Sequence, residues 1–263
     1  MLEQILARCR ERLADTKSRI PLSEIKACAL AAPSPHRFAT ALRRRDRISI
    51  IAEIKFRSPS VGVLRPFQPV EELVREYEAG GANALSILTE PDFFGGNLSD
   101  VAQAKAVTSL PVLRKDFLFD PYQIYESRAA GADAILLIAA TLERSALSDL
   151  SSLASDLGLD VLLELHNLSD LVNASGLHPA MWGVNHRNLK TLEIDLSVSA
   201  QLFPLLPSGA IRIAESGIES SVQLSAMRER GADGVLVGTS LMREPSPGAA
   251  LRGLVCGSSS AVS

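Results

Sequence analysis

Short apolar runs recur along this chain, each followed by a stretch with helical spacing, and several runs end on a charged or amide side chain. Ile48-Ser49-Ile50-Ile51-Ala52 leads into Glu53-Ile54-Lys55, Leu110-Pro111-Val112-Leu113-Arg114 into Lys115-Asp116, and Asp160-Val161-Leu162-Leu163 into Glu164. Gly183-Val184 ends at Asn185-His186-Arg187, and Ile211-Arg212-Ile213-Ala214 at Glu215-Ser216-Gly217. Continuous apolar runs suit strands buried on both faces, as in parallel sheets. Strands are predicted at 48–55, 85–89, 112–115, 135–138, 161–165, 183–185, 211–215 and 235–238.

A weak internal repeat organises these strands. Gly81-Ala82-Asn83-Ala84, Gly131-Ala132-Asp133-Ala134 and Gly231-Ala232-Asp233-Gly234 each lie between a helical pattern and an apolar run. Glycine there suits a helix C-cap, and Asn or Asp the turn into the next strand. The starts lie 50 and then 100 residues apart, which places the three copies before strands two, four and eight of one regular series. Strand–helix alternation favours right-handed crossovers and a parallel sheet. An open doubly wound sheet is the alternative; eight evenly spaced units favour closure into an α/β (βα)8 TIM barrel. In such a barrel the charged strand ends gather on one rim, where chemistry sits.

Residues 1–45 precede the first strand and read as a helical extension, with Leu2, Ile5, Leu6, Cys9 and Leu13 at helical spacing and a second apolar patch over 25–30. The extension either caps one barrel end or forms a lid over the active rim. The small, polar residues 256–263 read as a frayed tail of the same single domain.

Composition adds mainly exclusions. The 263 residues are near the roughly 250 of an eight-unit barrel, and 46% hydrophobic with 22% charged residues is ordinary for a globular chain. A net charge of −3 gives no argument for nucleic acid or an anionic membrane. Arg8, Arg10, Glu11 and Arg12 break the first apolar stretch, so neither a signal peptide nor a membrane span is expected. Cys9, Cys28 and Cys256 are odd in number and lack metal spacing, which fits reduced thiols in the cytoplasm. His36, His166, His178 and His186 form no ligand pattern, so no metal is expected.

Glu53 and Lys55 lie two apart on one strand end and share a face. With Lys115 and Glu164 they would put two ammonium and two carboxylate groups around one pocket. The bland reading is an ion-pair plug in the barrel mouth. Four charges on three separate strand ends favour catalysis, because buried charges are costly to keep without use. Ser216-Gly217 after strand seven and Gly238-Thr239-Ser240 after strand eight suit a phosphate held by backbone N–H groups. Phe93, Phe94 and Phe117 follow strands two and three and could wall a planar ligand. Trp182 reads as packing, and His186 as either a loop histidine or a proton-transfer group.

These residues carry a resemblance. Ile51-Ala52-Glu53-Ile54-Lys55 with Ser58-Pro59-Ser60, Leu88-Thr89-Glu90 with Phe93-Phe94-Gly95-Gly96, and Arg114-Lys115-Asp116-Phe117 resemble the indole-3-glycerol phosphate synthases of tryptophan biosynthesis. So do Gly183-Val184-Asn185-His186-Arg187-Asn188-Leu189, Ala214-Glu215-Ser216-Gly217-Ile218 and Leu236-Val237-Gly238-Thr239-Ser240-Leu241-Met242. The resemblance runs in order over 2–254, extension included. That family closes the indole ring of 1-(2-carboxyphenylamino)-1-deoxyribulose 5-phosphate, releasing carbon dioxide and water.

The resemblance implies Lys115 as the general acid at the substrate ketone, with Glu164 and Glu53 transferring protons in the dehydration. It implies that Asn185 and Glu215 fix substrate and lysine, that Lys55 meets the substrate carboxylate or phosphate and donates a proton, and that Arg187 faces the departing carboxylate. Ser58, Phe94, Phe117, Leu136, Leu189 and Leu236 would hold the rest of the substrate, and Ser216, Gly217, Gly238, Thr239 and Ser240 the phosphate. No cofactor is implied, and the small phosphorylated substrate is the only partner expected of a monomer. Val61 departs from the lysine, and His186 from the asparagine or serine, common at those places. The alternatives are another phosphate-binding barrel, such as the phosphoribosyl-anthranilate isomerase, which would want a cysteine where Glu53 and Lys55 stand, and a barrel that binds without turnover.

Overall fold

The computed structural model describes residues 1–43 and 47–259 of the chain. Residues 44–45 of the extension and 260–263 of the tail lie outside them. Eight parallel strands close into a barrel: β1 (Ser49–Ile54), β2 (Ala84–Leu88), β3 (Val112–Lys115), β4 (Ala134–Ile138), β5 (Asp160–Leu165), β6 (Met181–Asn185), β7 (Ile211–Glu215) and β8 (Gly234–Val237). Each pairs with its sequence neighbours, and β1 closes the ring on β8 with Ile51 beside Leu236. Closure excludes the open doubly wound alternative and leaves the barrel itself without an unpaired strand edge.

Helices α1 (Leu2–Arg19), α2 (Leu22–Ala31) and α3 (Phe38–Ala41) precede the barrel. Around it lie α4 (Val70–Gly80), α5 (Pro91–Phe94), α6 (Ser99–Lys105), α7 (Pro121–Ala129), α8 (Arg144–Asp156) and α9 (Leu168–Asn173). The last are α10 (Val198–Leu202), α11 (Ser221–Glu229), α12 (Thr239–Met242) and α13 (Pro247–Ser259). Because α13 runs through Cys256 to Ser259, the tail read as frayed begins as helix, anchored by buried Leu251 and Leu254.

The repeat has one mechanical meaning in all three copies. Gly81, Gly131 and Gly231 take φ of 95°, 87° and 89°, where an L side chain would be strained. The third residue then bonds the start of a neighbouring strand. Ile50 N donates to Asn83 Oδ1 at 2.9 Å, Val112 N to Asp133 Oδ2 at 2.8 Å, and Arg212 N to Asp233 Oδ2 at 2.8 Å. Each side chain thereby sets the stagger between adjacent strands.

Strand residues divide by parity into two apolar clusters. Ile50, Ala52, Leu85, Ile87, Leu163 and Trp182 pack outward with the helices. Ile51, Ala84, Leu113, Leu162, Ile213 and Leu236 fill the barrel interior. Trp182 is therefore packing, as its sequence position suggested.

The extension serves both ends of the barrel. Phe38 and Leu42 join the interior cluster, while His36 N donates to Asp133 Oδ1 at 2.6 Å and Ala39 N to Asp160 Oδ2 at 2.8 Å, at the N-terminal ends of β4 and β5. At the opposite rim Ile5 and Cys9 of α1 pack with Phe117, and Arg12 pairs with buried Glu90 at 2.7 Å. Cap and lid are both present, built from different helices.

Candidate active site

Strand parity aims one side chain from each of several strands into a single cleft. Glu53, Lys115, Glu164, Asn185 and Glu215 line it together with Lys55, just beyond β1. The cleft holds about 970 Å³, counting the solvent-open space at its mouth. At its centre Lys115 Nζ donates to Glu164 Oε2 at 3.0 Å and Glu215 Oε2 at 2.9 Å. Lys55 Nζ donates to Glu53 Oε1 at 2.5 Å. The other oxygens of two carboxylates, Glu53 Oε2 and Glu215 Oε1, are buried without a hydrogen-bond partner among the described residues. The cluster therefore holds two ammonium groups and three carboxylates, one carboxylate more than the pairing read along the strands.

The neighbours of Lys115 show why alternation matters. Arg114 points outward and is consumed by structure, with Nη2 3.1 Å from Asp116, Nη1 2.8 Å from Glu126 and Nε donating to Thr89. Lys115, one residue on, faces the cleft.

The shared lysine splits its two carboxylates. Burial opposes the Lys115 charge, yet Glu164, Glu215 and Glu53 outweigh burial and hold the ammonium above its ordinary range. Glu164 is also penalised by burial, but Lys115 and then His166 hold it well below the usual carboxylate range. Burial pushes Glu215 up; Glu164 adds to that and Lys115 opposes it. The two carboxyls are thereby driven apart, Glu164 toward the ionised form and Glu215 toward the protonated one.

Two glycines make room for this layer. A Cβ at Gly183 would collide with the Glu215 carboxylate, and one at Gly238 with Glu53.

Around the charges the walls differ. Phe94 and Phe117 sit with ring centroids 6.3 Å apart and line the cleft with Leu136, Leu189 and Leu236. Phe94 is placed by α5, whose N-cap Glu90 accepts from Phe93 N at 2.7 Å and Phe94 N at 3.3 Å, with Pro91 opening the turn. Phe93, which the sequence put in the same wall, instead packs in the apolar cluster and does not line the cleft.

Opposite lie Ser216, Gly217, Gly238, Thr239 and Ser240. Ser216 (φ 67°) and Gly217 (φ 79°) are both left-handed and turn the chain sharply off β7. Gly238 N-caps α12, whose first-turn N–H groups have no partner within the helix.

Asn185 Oδ1 accepts from Arg187 N at 3.0 Å, and Arg187 Nη1 donates to Leu192 O at 2.9 Å. Ser58 misses the main cleft and lines an adjoining space of about 540 Å³ with Met1, Leu2 and Ile5 of the extension. Lys55, Phe94, Phe117, Arg187, Leu189 and Thr239 line both spaces.

Two histidines take places that the sequence did not indicate. His186 is buried behind the Ser216 turn, where Nδ1 lies 2.9 Å from Ser216 O. Burial holds it below its ordinary value, so the neutral ring donates to that carbonyl and braces the turn. It is neither a surface loop residue nor a proton-transfer group in the cleft. His166, read only as lacking metal spacing, lies 3.2 Å from Glu164 Oε1. Its position two residues after Glu164 was the available signal. Arg12, whose pairing with Glu90 spans two distant segments, carried no comparable signal.

The comparisons agree with this geometry. A family model described as indole-3-glycerol phosphate synthase matches residues 2–254. The chain is 41% identical over 255 residues to the indole-3-glycerol phosphate synthase of Beutenbergia cavernae, covering 97% of this chain and 94% of that protein. Solved barrels resemble it in fold alone. The tryptophan synthase alpha chain of Legionella pneumophila has a TM-score of 0.64 at 16% identity, covering 88% of this chain and 100% of that one. The thiamine phosphate pyrophosphorylase of Pyrococcus furiosus gives 0.60 at 14%, covering 82% and 98%. With a (βα)8 TIM barrel whose charged cleft stands at the strand ends, and a match along nearly the whole chain, this protein belongs to the indole-3-glycerol phosphate synthase family, carboxy-lyases of tryptophan biosynthesis.

Proposed function

We propose that the cleft binds 1-(2-carboxyphenylamino)-1-deoxyribulose 5-phosphate and that Lys115 is the general acid for ring closure. The ring carbon bearing the carboxylate attacks the ketone, and the ketone oxygen takes the Lys115 proton as the new bond forms. An alkoxide is more basic than any ammonium, so a firmly protonated lysine still transfers its proton downhill. The iminium left on nitrogen accepts the electrons of the departing carboxylate, and carbon dioxide leaves. Dehydration then needs a proton on the leaving hydroxyl and removal of one from the adjacent carbon. We assign these transfers to Glu164 and Glu53, with Lys55 as a second donor. Over the whole reaction one proton is taken up: the new carbon–carbon bond takes the place of the carboxylate, two protons leave with the ketone oxygen as water, and one is returned from the adjacent carbon.

Asn185 and Glu215 hold substrate and lysine, and Arg187 faces the carboxylate. The substrate ring lies between Phe94, Phe117, Leu136, Leu189 and Leu236, with Ser58 at the adjoining space. The phosphate sits on Ser216, Gly217, Gly238, Thr239 and Ser240 with Lys55 near it. The observation that carries this reading is Lys115 held between two carboxylates at the base of a cleft with one apolar wall and one glycine-turn wall.

The reading extends to a monomeric cytoplasmic enzyme, supported by three free thiols of which Cys28 and Cys256 are exposed. Light scattering checks the monomer. Function is tested by indole fluorescence on mixing purified protein with the substrate in the presence of chelator. A rising signal at an enzyme-like rate is expected; a flat trace with saturable binding would leave a barrel that binds without turnover.

A further inference from the structure

His166 does not line the cleft, yet it is only 7% exposed and stands directly behind one of the cleft's carboxylates. Its Nε2 lies 3.2 Å from Glu164 Oε1 and its Nδ1 3.5 Å from Asp170 Oδ2. Glu164 Oε2, the other oxygen, faces Lys115 at 3.0 Å. Asp170 is itself fixed. It sits in the first turn of α9, its N–H donates to the N-cap Asn167 Oδ1 at 3.0 Å, and its Oδ2 accepts His166 N at 2.7 Å. The charges therefore alternate in one chain, Asp170, His166, Glu164, Lys115.

We propose that His166 is a positioning residue that, clamped between Asp170 and Glu164, keeps Glu164 ionised and its second oxygen aimed at Lys115. The inference rests on the assignment of Glu164 to proton transfer.

Three observations support it. Glu164 is only 2% exposed, and a buried carboxylate stays charged only with partners of opposite sign. Lys115 alone is shared with Glu215, so a second cation on the far oxygen decides which carboxyl of the pair ionises. The charged groups facing the imidazole are Asp170 from α9 and Glu164 from its own strand, and both favour imidazolium. Burial lowers its affinity for a proton, but these two outweigh burial and lift it to about 9. His186 is the internal contrast: also buried, but facing a carbonyl, it is held neutral. Both ring nitrogens are buried and each faces a carboxylate oxygen within 3.5 Å.

The signs follow. The imidazolium lowers the Glu164 pKa, so its removal raises that pKa. Activity needing the carboxylate is lost as pH falls through that value, so the acid limb must move to higher pH. In full-length His166→Gln, kcat should fall about 10- to 100-fold, the scale seen when a residue that orients a metal ligand is removed. KM should change less than about threefold, with the acid limb of the kcat profile displaced upward. Asp170→Asn, which leaves the imidazole in place, should shift the limb the same way by less.

An independent readout is the imidazole itself. By 15N NMR, His166 of the unmodified protein should remain protonated at pH 7.5, and should lose that proton in Glu164→Gln. A His166→Gln enzyme with unchanged kcat and an unmoved acid limb overturns the proposal. So does a His166 that titrates at or below the free value of about 6.5, which decides the matter if the glutamine variant fails to fold. Wild-type turnover in Glu164→Gln would instead refute the parent assignment, while the NMR titration would still report whether the clamp exists.

Discussion

Replacing Lys115 by methionine keeps the volume and removes the charge on which both readings of the cleft depend. In the wild type the ammonium lies 3.0 Å from Glu164 and 2.9 Å from Glu215, and the three side chains are 15%, 2% and 1% exposed. Without it two buried carboxyls face each other, and breaking such a buried pair costs about 3–5 kcal/mol. That cost must depend on pH. Glu164 has a folded pKa below its unfolded one. It therefore adds stability above the unfolded value of about 4.3, and that stability is lost as pH falls toward the folded pKa. In the variant its folded pKa rises above the unfolded value, so the penalty is full near pH 8 and fades toward pH 4. Urea unfolding across that range reads the difference directly. In turnover, losing a general acid costs about 10²- to 10⁴-fold, equivalent to about 2.7–5.4 kcal/mol in the barrier. Indole fluorescence measures it, with substrate binding followed separately by titration. A variant within tenfold of wild-type turnover, or a stability loss that does not change with pH, would refute the reasoning.

Glu215→Gln should act oppositely to Lys115→Met. Because Glu215 has a raised folded pKa, its ionisation destabilises the fold as pH rises through the unfolded value. The neutral amide should then leave the melting temperature at pH 8 unchanged or higher, with no gain at pH 4; a fall at pH 8 that vanishes at pH 4 would contradict this. Gly183→Ala places a methyl against the Glu215 carboxylate and should lower kcat by at least about tenfold, since displacements of about an ångström are costly to positioned groups; the circular dichroism spectrum should not change. Arg12→Ala removes the ion pair that ties α1 to Glu90 at the rim. Since Glu90 retains its N-cap bonds, the loss should be about 1–3 kcal/mol, seen as faster hydrogen exchange in α1 and a raised KM.

Much of this architecture is legible along the chain because it is local. Apolar runs and their spacing record strand and helix periodicity. The Gly81, Gly131 and Gly231 repeat records left-handed C-caps that only glycine takes without strain, and Asn83, Asp133 and Asp233 record the bonds that stagger the strands. The charged strand ends marked the rim before any closure was known. The extension was half legible. Its helical spacing showed α1, but whether it covered the top or floor of the barrel depended on contacts of Arg12 and Phe38 with segments far away in sequence.

What the sequence by itself determined is the order of elements, the closed count of eight units and the end of the strands at which charge collects. Tertiary structure alone decided which charges meet. A strand buried on both faces carries no parity in its hydrophobic pattern, so nothing local says that Lys115 faces the cleft while Arg114 faces the helices. Nor does anything local bring Lys115 to Glu164 and Glu215, which lie 49 and 100 residues away along the chain. Periodicity is set by backbone geometry within a few residues, whereas Coulomb energy and desolvation depend on distances that exist only once the barrel has closed.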